Sequence, residues 1–479
     1  MEAYCDNLLS VSSNRPFQVR CPMALKLDST KLDSYIADNR SDYEKNLKRL
    51  VDIPSVSMDP AHKKDIDRLA AEASKVLEEM GGRAEVFQTE GNPVIVGTLL
   101  AKPEDPTVLI YNHMDVQPAD PAHWDSAPFE MAITGDKYLG RGTTDDKGPA
   151  LTALYAARFA RQNNIPLNIK IVWELEEEIG SGNFFQFLRD QRSAVESNSI
   201  VVSDTVWISR EKPAIPCGFR GLLCALIKLE TGTSETHSGL TGGGARNPYT
   251  ELVELLSLCV DAKTGAVKIP GFYQGVEEPT EAELDGFIEA GFTSENFMKA
   301  HKLKSLRFDD AREVAKHIWT KPTFEVHGIT GGYEGPGVKT IIPPSAEAKV
   351  SMRLVPGQNP EHVFKCLEAF VKENCPEAVA KSTGQLGAYA GIKDGKYIDA
   401  AREAIKEGFG SEPALVREGG SIGAVVALGD ILAVPIVFLG LSLPEHGYHS
   451  VNENFDWGQA SGGMKAFVKY FEILSTLKD

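Results

Sequence analysis

The chain has 479 residues, too many for one ordinary core, so two domains are expected. A 42% hydrophobic and 24% charged composition describes a globular protein, not a disordered or fibrous one. The net charge of −17, from 50 basic and 67 acidic residues, repels phosphate backbones and anionic lipids and argues against nucleic acid or membrane surfaces as partners.

Residues 1–25 open without a basic start or a continuous apolar core, so they read as a disordered leader, not a signal peptide. No later run approaches the roughly 18 apolar residues that a membrane span needs. The seven cysteines are odd in number and lack CxxC spacing. A disulfide framework or thiolate zinc site is therefore not expected, and a reducing cytoplasm is.

Residues 30–53 and 63–81 carry apolar positions at helical spacing. Buried strands are expected at 94–100 (VIVGTLL), 108–111 (VLIY), 169–175 (IKIVWEL) and 200–202 (IVV), with helices at 148–162 and 181–191 between them. This alternation predicts an α/β catalytic domain whose central sheet is mostly parallel and flanked by helices, its first part spanning 26–217. Near residue 218 the texture changes. A strand at 222–230, a helix at 249–262, a polar acidic stretch with helical segments over 270–320, strands within 339–356 and an amphipathic helix at 360–374 predict a small α+β domain. From 389 to 479 the first texture returns, with a helix at 398–409 and an apolar run at 432–443 (LAVPIVFLGLSL). The α+β unit, 218–388, therefore reads as inserted into the catalytic domain.

Open sheets of this kind place their chemistry beyond the carboxyl ends of the strands. VLIY runs into His113 and Asp115, IKIVWEL into Glu176, Glu177 and Glu178, and IVV into Asp204. The late apolar run leads to Glu445, His446 and His449, and Asp145 and Asp146 stand just before the helix at 148. Each feature alone reads blandly: a hydrogen-bonded His, a solvated acidic patch, an acidic helix N-terminus. Together, five segments bring His or carboxylate to one sheet edge, where like charges repel unless a cation holds them. Imidazole with carboxylate and no thiolate suits Zn²⁺ or Mn²⁺, and the ligands suffice for two metals sharing a carboxylate.

At these residues the sequence resembles the di-metal peptidase superfamily of aminoacylase and carboxypeptidase G, and within it the carnosinase and cytosolic nonspecific dipeptidase branch. The resemblance is carried in order by HMDVQP (113–118), WDSAPF (124–129), GRGTTDDKGP (140–149), EEEIGSG (176–182), VSDTVW (202–207), GFRG (218–221), THSG (236–239), MRLVP (352–356), REGGSIG (417–423) and HGYHSVNE (446–453). It implies metal-dependent hydrolysis of dipeptides, with an N-acyl-amino-acid or succinyl-diaminopimelate amidohydrolase as the alternative on the same centre. Two Zn²⁺ per subunit are implied, with Mn²⁺ as the alternative. His113, Asp145 and Asp204 would hold one, and Asp145, Glu178 and His449 the other, with Asp145 bridging and the Asp145–Asp146 peptide bond cis. Glu177 would be the general base and Asp115 would orient His113. Counting back from Gly180 and Ser181 leaves Glu176 as a spectator, and the Ser-x-Asn-Glu after His449 favours it over His446. Arg353 would grip the substrate carboxylate, with Thr340, Gly420 and Ser421 as further contacts. His237 would reach in from the partner subunit of a homodimer and polarise the scissile carbonyl. The glycine-rich stretch 331–340 lacks the Gly-Lys pair of a P-loop and reads as substrate-loop backbone. The G-x-S-x-G match at 419–423 predicts no nucleophile elbow, because Asp430 follows Ser421 too closely for the strand and helix that such a fold places between them.

Overall fold

The computed structural model describes residues 28–477; the leader expected over 1–25 lies outside them. A six-stranded sheet forms the centre, in the order Arg83–Phe87, Val94–Leu99, Asn168–Glu174, Thr107–His113, Ser199–Val202, Ile436–Phe438. The last four strands are mutually parallel, whereas Val94–Leu99 runs against both of its neighbours.

Successive side chains along these strands point to opposite faces, and both faces are covered. Val108 and Ile110 pack with the helices Arg40–Val51, Lys63–Glu79, Gly148–Gln162, Lys396–Phe409 and Trp457–Leu474. Leu109 and Tyr111 pack on the other side with Phe184–Asp190 and Gly423–Leu432. Burial on both faces is why the strands read as continuous apolar runs.

Between Val202 and Ile436 the chain builds an antiparallel four-stranded sheet, in the order Glu325–Thr330, Ser345–Leu354, Gly221–Glu230, Val379–Leu386. One face packs Leu223, Ala225, Ile227, Met352 and Leu354 against the helices Pro248–Cys259 and Pro360–Asn374. Alternation therefore turns Arg353, which pairs with Leu222, to the opposite face. The acidic stretch forms three helices, Glu281–Glu289, Ser294–Ala300 and Ala311–Trp319, around a small core of Leu284, Phe287, Phe292, Val314 and Ala315. A separate sheet joins Ala214–Phe219 to Tyr389–Ala390 and Ala414–Glu418.

The apolar run at 432–443 yields only a short strand, Ile436–Phe438. Its first residue, Leu432, ends a helix, and Pro435 offers its carbonyl to Ile200 N at the start of the pairing. The edge strand Arg83–Phe87 and the final helix Trp457–Leu474 go beyond the sequence expectations. The five cysteines within 28–477 are free thiols, and no helix among the described residues is long and apolar enough to cross a membrane.

Candidate metal centre

The carboxyl ends of three adjacent parallel strands supply most of the site. His113 is the last residue of Thr107–His113. Glu177 and Glu178 open a turn just past Asn168–Glu174, which Gly180 leaves at a φ of 91°. Asp204 lies two residues past Ser199–Val202. Asp145 and Asp146 come from the turn Thr143–Lys147 before the helix Gly148–Gln162, and the bond between them is cis. His449 follows the short turn Pro444–His446, with a φ of 54°.

Two groups of side chains converge there, each with ligand atoms within 4.8 Å of one another: His113 with Asp146 and Asp204, and Asp145 with Glu178 and His449. Asp145 touches both. Its Oδ1 lies 2.9 Å from His113 Nε2 and its Oδ2 lies 3.0 Å from His449 Nε2. Glu178 Oε2 is 3.2 Å from His449 Nε2, and Asp204 Oδ2 is 3.9 Å from His113 Nε2. Tyr448 donates its hydroxyl to Asp204. His113, Asp115, Asp145, Asp146 and Asp204 are all buried, whereas the His449 side chain is 53% exposed, so the cluster opens to solvent on its side.

The His113 ring is held through Nδ1, 3.0 Å from the Asp115 carbonyl and 3.4 Å from its carboxylate. That carboxylate also accepts from Glu177 N at 3.2 Å and Glu178 N at 3.1 Å, so Asp115 fixes the imidazole and the acidic turn together. Gln117 donates from N and Nε2 to Glu178 at 3.1 and 2.6 Å. Glu176 points elsewhere, accepting from Asn92 N at 2.7 Å and from Asn183. His446 is buried and committed: Nδ1 accepts from Leu443 N at 3.1 Å and Nε2 lies 3.1 Å from Asp456.

So many acids in one buried place distort the titration of several of them. Burial, then Asp204, push Asp146 well above the carboxylate range. Burial, then Asp204 and Glu178, do the same to Glu177, against the pull of His113. Asp204 rises to about 6, chiefly through burial. Burial alone would lower His449, but its bonds to Asp145 and Glu178 raise it to about 10. Asp146 donates nothing and accepts Asn112 Nδ2 on Oδ2 at 2.7 Å, leaving Oδ1 buried without a hydrogen-bond partner. An orphaned carboxylate oxygen beside His113 and Asp204, with imidazole and oxygen donors and no thiolate, fits divalent cations. Asp146 is the group that the sequence did not single out as a ligand, since its position before a helix has an ordinary explanation as first-turn acid.

The other expected residues form two separate clusters. Arg353 Nη1 donates to Ser421 Oγ at 2.9 Å, and Ser421 in turn donates to the Arg220 carbonyl. The Gly420 carbonyl accepts from Arg220 N at 3.1 Å. These bonds, none of them to a His, occupy the hydroxyl of the G-x-S-x-G match. His237 and Thr340 are neighbours: His237 pairs with Ile341, and the Thr340 carbonyl accepts from Ser238 N at 3.0 Å. His237 Nδ1 accepts from Gly239 N at 2.9 Å, capping a short turn. Among the described residues no hydrogen bond or ion pair joins it to the His113–Asp145 cluster of its own chain.

Comparison with known proteins matches residues 109–473 to the Peptidase family M20/M25/M40. The chain is 32% identical over 472 residues to the Beta-Ala-His dipeptidase of Homo sapiens, covering 93% of each sequence. It is 30% identical over 475 residues to the Cys-Gly metallodipeptidase dug1 of Schizosaccharomyces pombe, covering 95% of this chain and all of that protein (100%). The crystal structure of human carnosine dipeptidase 1 superposes with a TM-score of 0.80 at 31% identity, over 94% of this chain and 99% of that one. The metallo-carboxypeptidase Sso-CP2 from Sulfolobus solfataricus gives a TM-score of 0.84 at 29% identity, over 91% and 99%. This chain belongs to the Peptidase family M20/M25/M40.

Proposed function

We propose that this member of the family is a dipeptidase that cleaves its substrate's amide bond at a two-cation centre. The observation that carries the reading is Asp145, whose two oxygens face His113 and His449 at 2.9 and 3.0 Å and so join two ligand groups through one carboxylate. His113, Asp145 and Asp204 would hold one cation, with Asp146 grouped beside His113 and Asp204, and Asp145, Glu178 and His449 would hold the other. Zn²⁺ fits these donors, with Mn²⁺ as the alternative. When bound, such a pair supplies an acidified water and a Lewis acid for the carbonyl under attack.

The chain's own residues do the rest. Glu177, whose backbone N–H is held by the Asp115 carboxylate, takes the proton of the attacking water and returns it to the leaving nitrogen. Asp115 keeps His113 and the Glu177–Glu178 turn in register with one another. Arg353 binds the substrate's terminal carboxylate beside Gly420 and Ser421, and Thr340, the neighbour of His237, contacts the substrate together with it. His237 serves the partner subunit's site in a homodimer. Five free thiols suit a reducing compartment such as the cytoplasm.

A release assay over dipeptides and the matching N-acyl amino acids tests the reading. Dipeptides should be cleaved, phenanthroline should abolish the activity, and Zn²⁺ or Mn²⁺ should restore it. Cleavage of N-acyl amino acids alone would make the protein an amidohydrolase on the same centre, and full activity in chelator would overturn the metal mechanism.

A further inference from the structure

Glu453 lies four residues past His449 and is fully buried. Its carboxylate accepts from Arg141 Nη1 at 2.8 Å, from Gly142 N at 3.0 Å, from Thr144 N at 2.9 Å and from Asp145 N at 3.1 Å. Its own carbonyl accepts from Gly140 N at 3.0 Å, continuing the pairing of Asn454–Asp456 with Lys137–Leu139. One residue thus receives bonds from five positions, 140–142 and 144–145, in a loop whose Asp145 lies 308 residues away in sequence.

Backbone N–H groups of a tight turn that point to one side make a cradle for an anion. Here the anion is built in, and Arg141 balances its charge. Gly142 stands at a φ of 88°, where an added Cβ would meet Val116 Cγ1 at 2.7 Å, so the loop reaches this shape only with glycine there. On the other side of Glu453, the His449 turn offers its ring to Asp145 and Glu178 from a left-handed backbone position.

We propose that Glu453 is a positioning residue of the metal centre, fixing the backbone of Asp145 against the turn that carries His449. Two ligand-bearing segments from opposite ends of the chain are set against each other by one carboxylate. This rests on the reading of the cluster as a metal site. A carboxylate that merely stapled two loops together would contribute to stability and leave metal affinity alone, so affinity separates the two roles.

The test compares the full-length wild type with Glu453→Gln, Glu453→Asp and, as a control for lost stability alone, Leu77→Ala in the helix Lys63–Glu79, which packs on the strands Arg83–Phe87 and Val94–Leu99 of the central sheet. Zn²⁺ is titrated into each metal-free protein against a competing chelator, and each is melted without metal. Glu453→Gln and Glu453→Asp should bind Zn²⁺ about 10–100-fold more weakly, the usual effect of losing a group that orients a ligand, and kcat should fall while KM stays nearly constant. Leu77→Ala should melt lower yet bind Zn²⁺ as tightly as wild type. Wild-type affinity and kcat in Glu453→Gln overturn the proposal. Where Glu453→Gln does not fold, wild-type affinity in Glu453→Asp, whose reach is one methylene shorter, overturns it equally. A wild-type protein that takes up no Zn²⁺ overturns the metal reading and this inference together, whereas two sites in the wild type with unchanged variants overturn this inference only.

Discussion

Around His113 and Asp145, imidazoles and carboxylates are packed out of water and bind one another at both ends. Around Arg353 the balance is reversed. Its guanidinium donates to Ser421, and neither it nor Arg220 has a carboxylate in ion-pair reach among the described residues. Burial and the neighbouring Arg353 lower Arg220 to about 10, and burial lowers Arg353 too. The first region holds an excess of negative charge on rigid strand ends; the second holds partly buried positive charge on an inserted sheet. A buried charge without a counter-ion is costly, so each region is complete only with a ligand of the opposite sign. On the function proposed above, cations answer the first and a substrate carboxylate the second.

Glu177 offers the largest effect in the acidic region. Glu177→Gln keeps the size of the side chain and every ligand, so metal content should stay at the wild-type level. Turnover should fall about 10²–10⁴-fold, the share that a positioned acid–base group supplies. Glu178→Gln should instead lower metal affinity, since Glu178 Oε2 belongs to the His449 group. Metal analysis alongside steady-state kinetics checks both. The reverse pattern would exchange the roles of the two residues.

Arg353 tests the basic region, with a smaller effect of a different kind. Arg353→Met removes a charge-assisted contact worth about 1.5–3 kcal/mol, so KM for dipeptides should rise about 10–100-fold. Metal content should not change, because among the described residues no hydrogen bond or ion pair joins Arg353 to the acidic cluster. A dipeptide amidated at its C-terminus should show almost no further loss in the variant. If KM is unmoved, the carboxylate is held elsewhere, and the contrast between the regions loses its functional meaning.

The acidic region was the more legible in the sequence, for a physical reason. Parallel strands buried on both faces are mainly apolar, so the switch from Tyr111 to His113, from Leu175 to Glu178 or from Val202 to Asp204 marks both the end of the apolar run and the site. Asp146 carries no such mark, because acid before a helix is common. The direction of Val94–Leu99 is equally silent, since a continuous apolar run reads the same parallel or antiparallel. The helix Trp457–Leu474 buries most of its circumference and so lacks the polar stripe by which helices are recognised. Glu453 bonds to a loop 308 residues away, a relation that local pattern cannot express. The basic region was legible through resemblance alone: Arg353 alternates within an ordinary antiparallel strand, and His237 sits beside glycines.

His237 gives the smallest effect and the sharpest division between the two regions. It pairs with Ile341 in a two-stranded sheet of its own, and among the described residues no hydrogen bond or ion pair joins it to the His113–Asp145 cluster of its own chain, so the role proposed for it is one across an interface. Reaching in trans predicts complementation. His237→Ala and Glu177→Gln subunits, each nearly inactive alone, are mixed in equal amounts and allowed to exchange. Half of the resulting dimers are mixed, and each of these holds one site with both residues intact and one with neither. Activity should therefore return to about a quarter of wild type, provided the dimer is the symmetric kind in which each subunit serves the other. If His237 acts within its own chain, every site keeps one defect and mixing restores nothing. Subunit exchange is verified separately with two differently tagged chains. Exchange without recovery would end the trans role, and the inserted domain would then contribute Arg353 to its own site and nothing to its partner's.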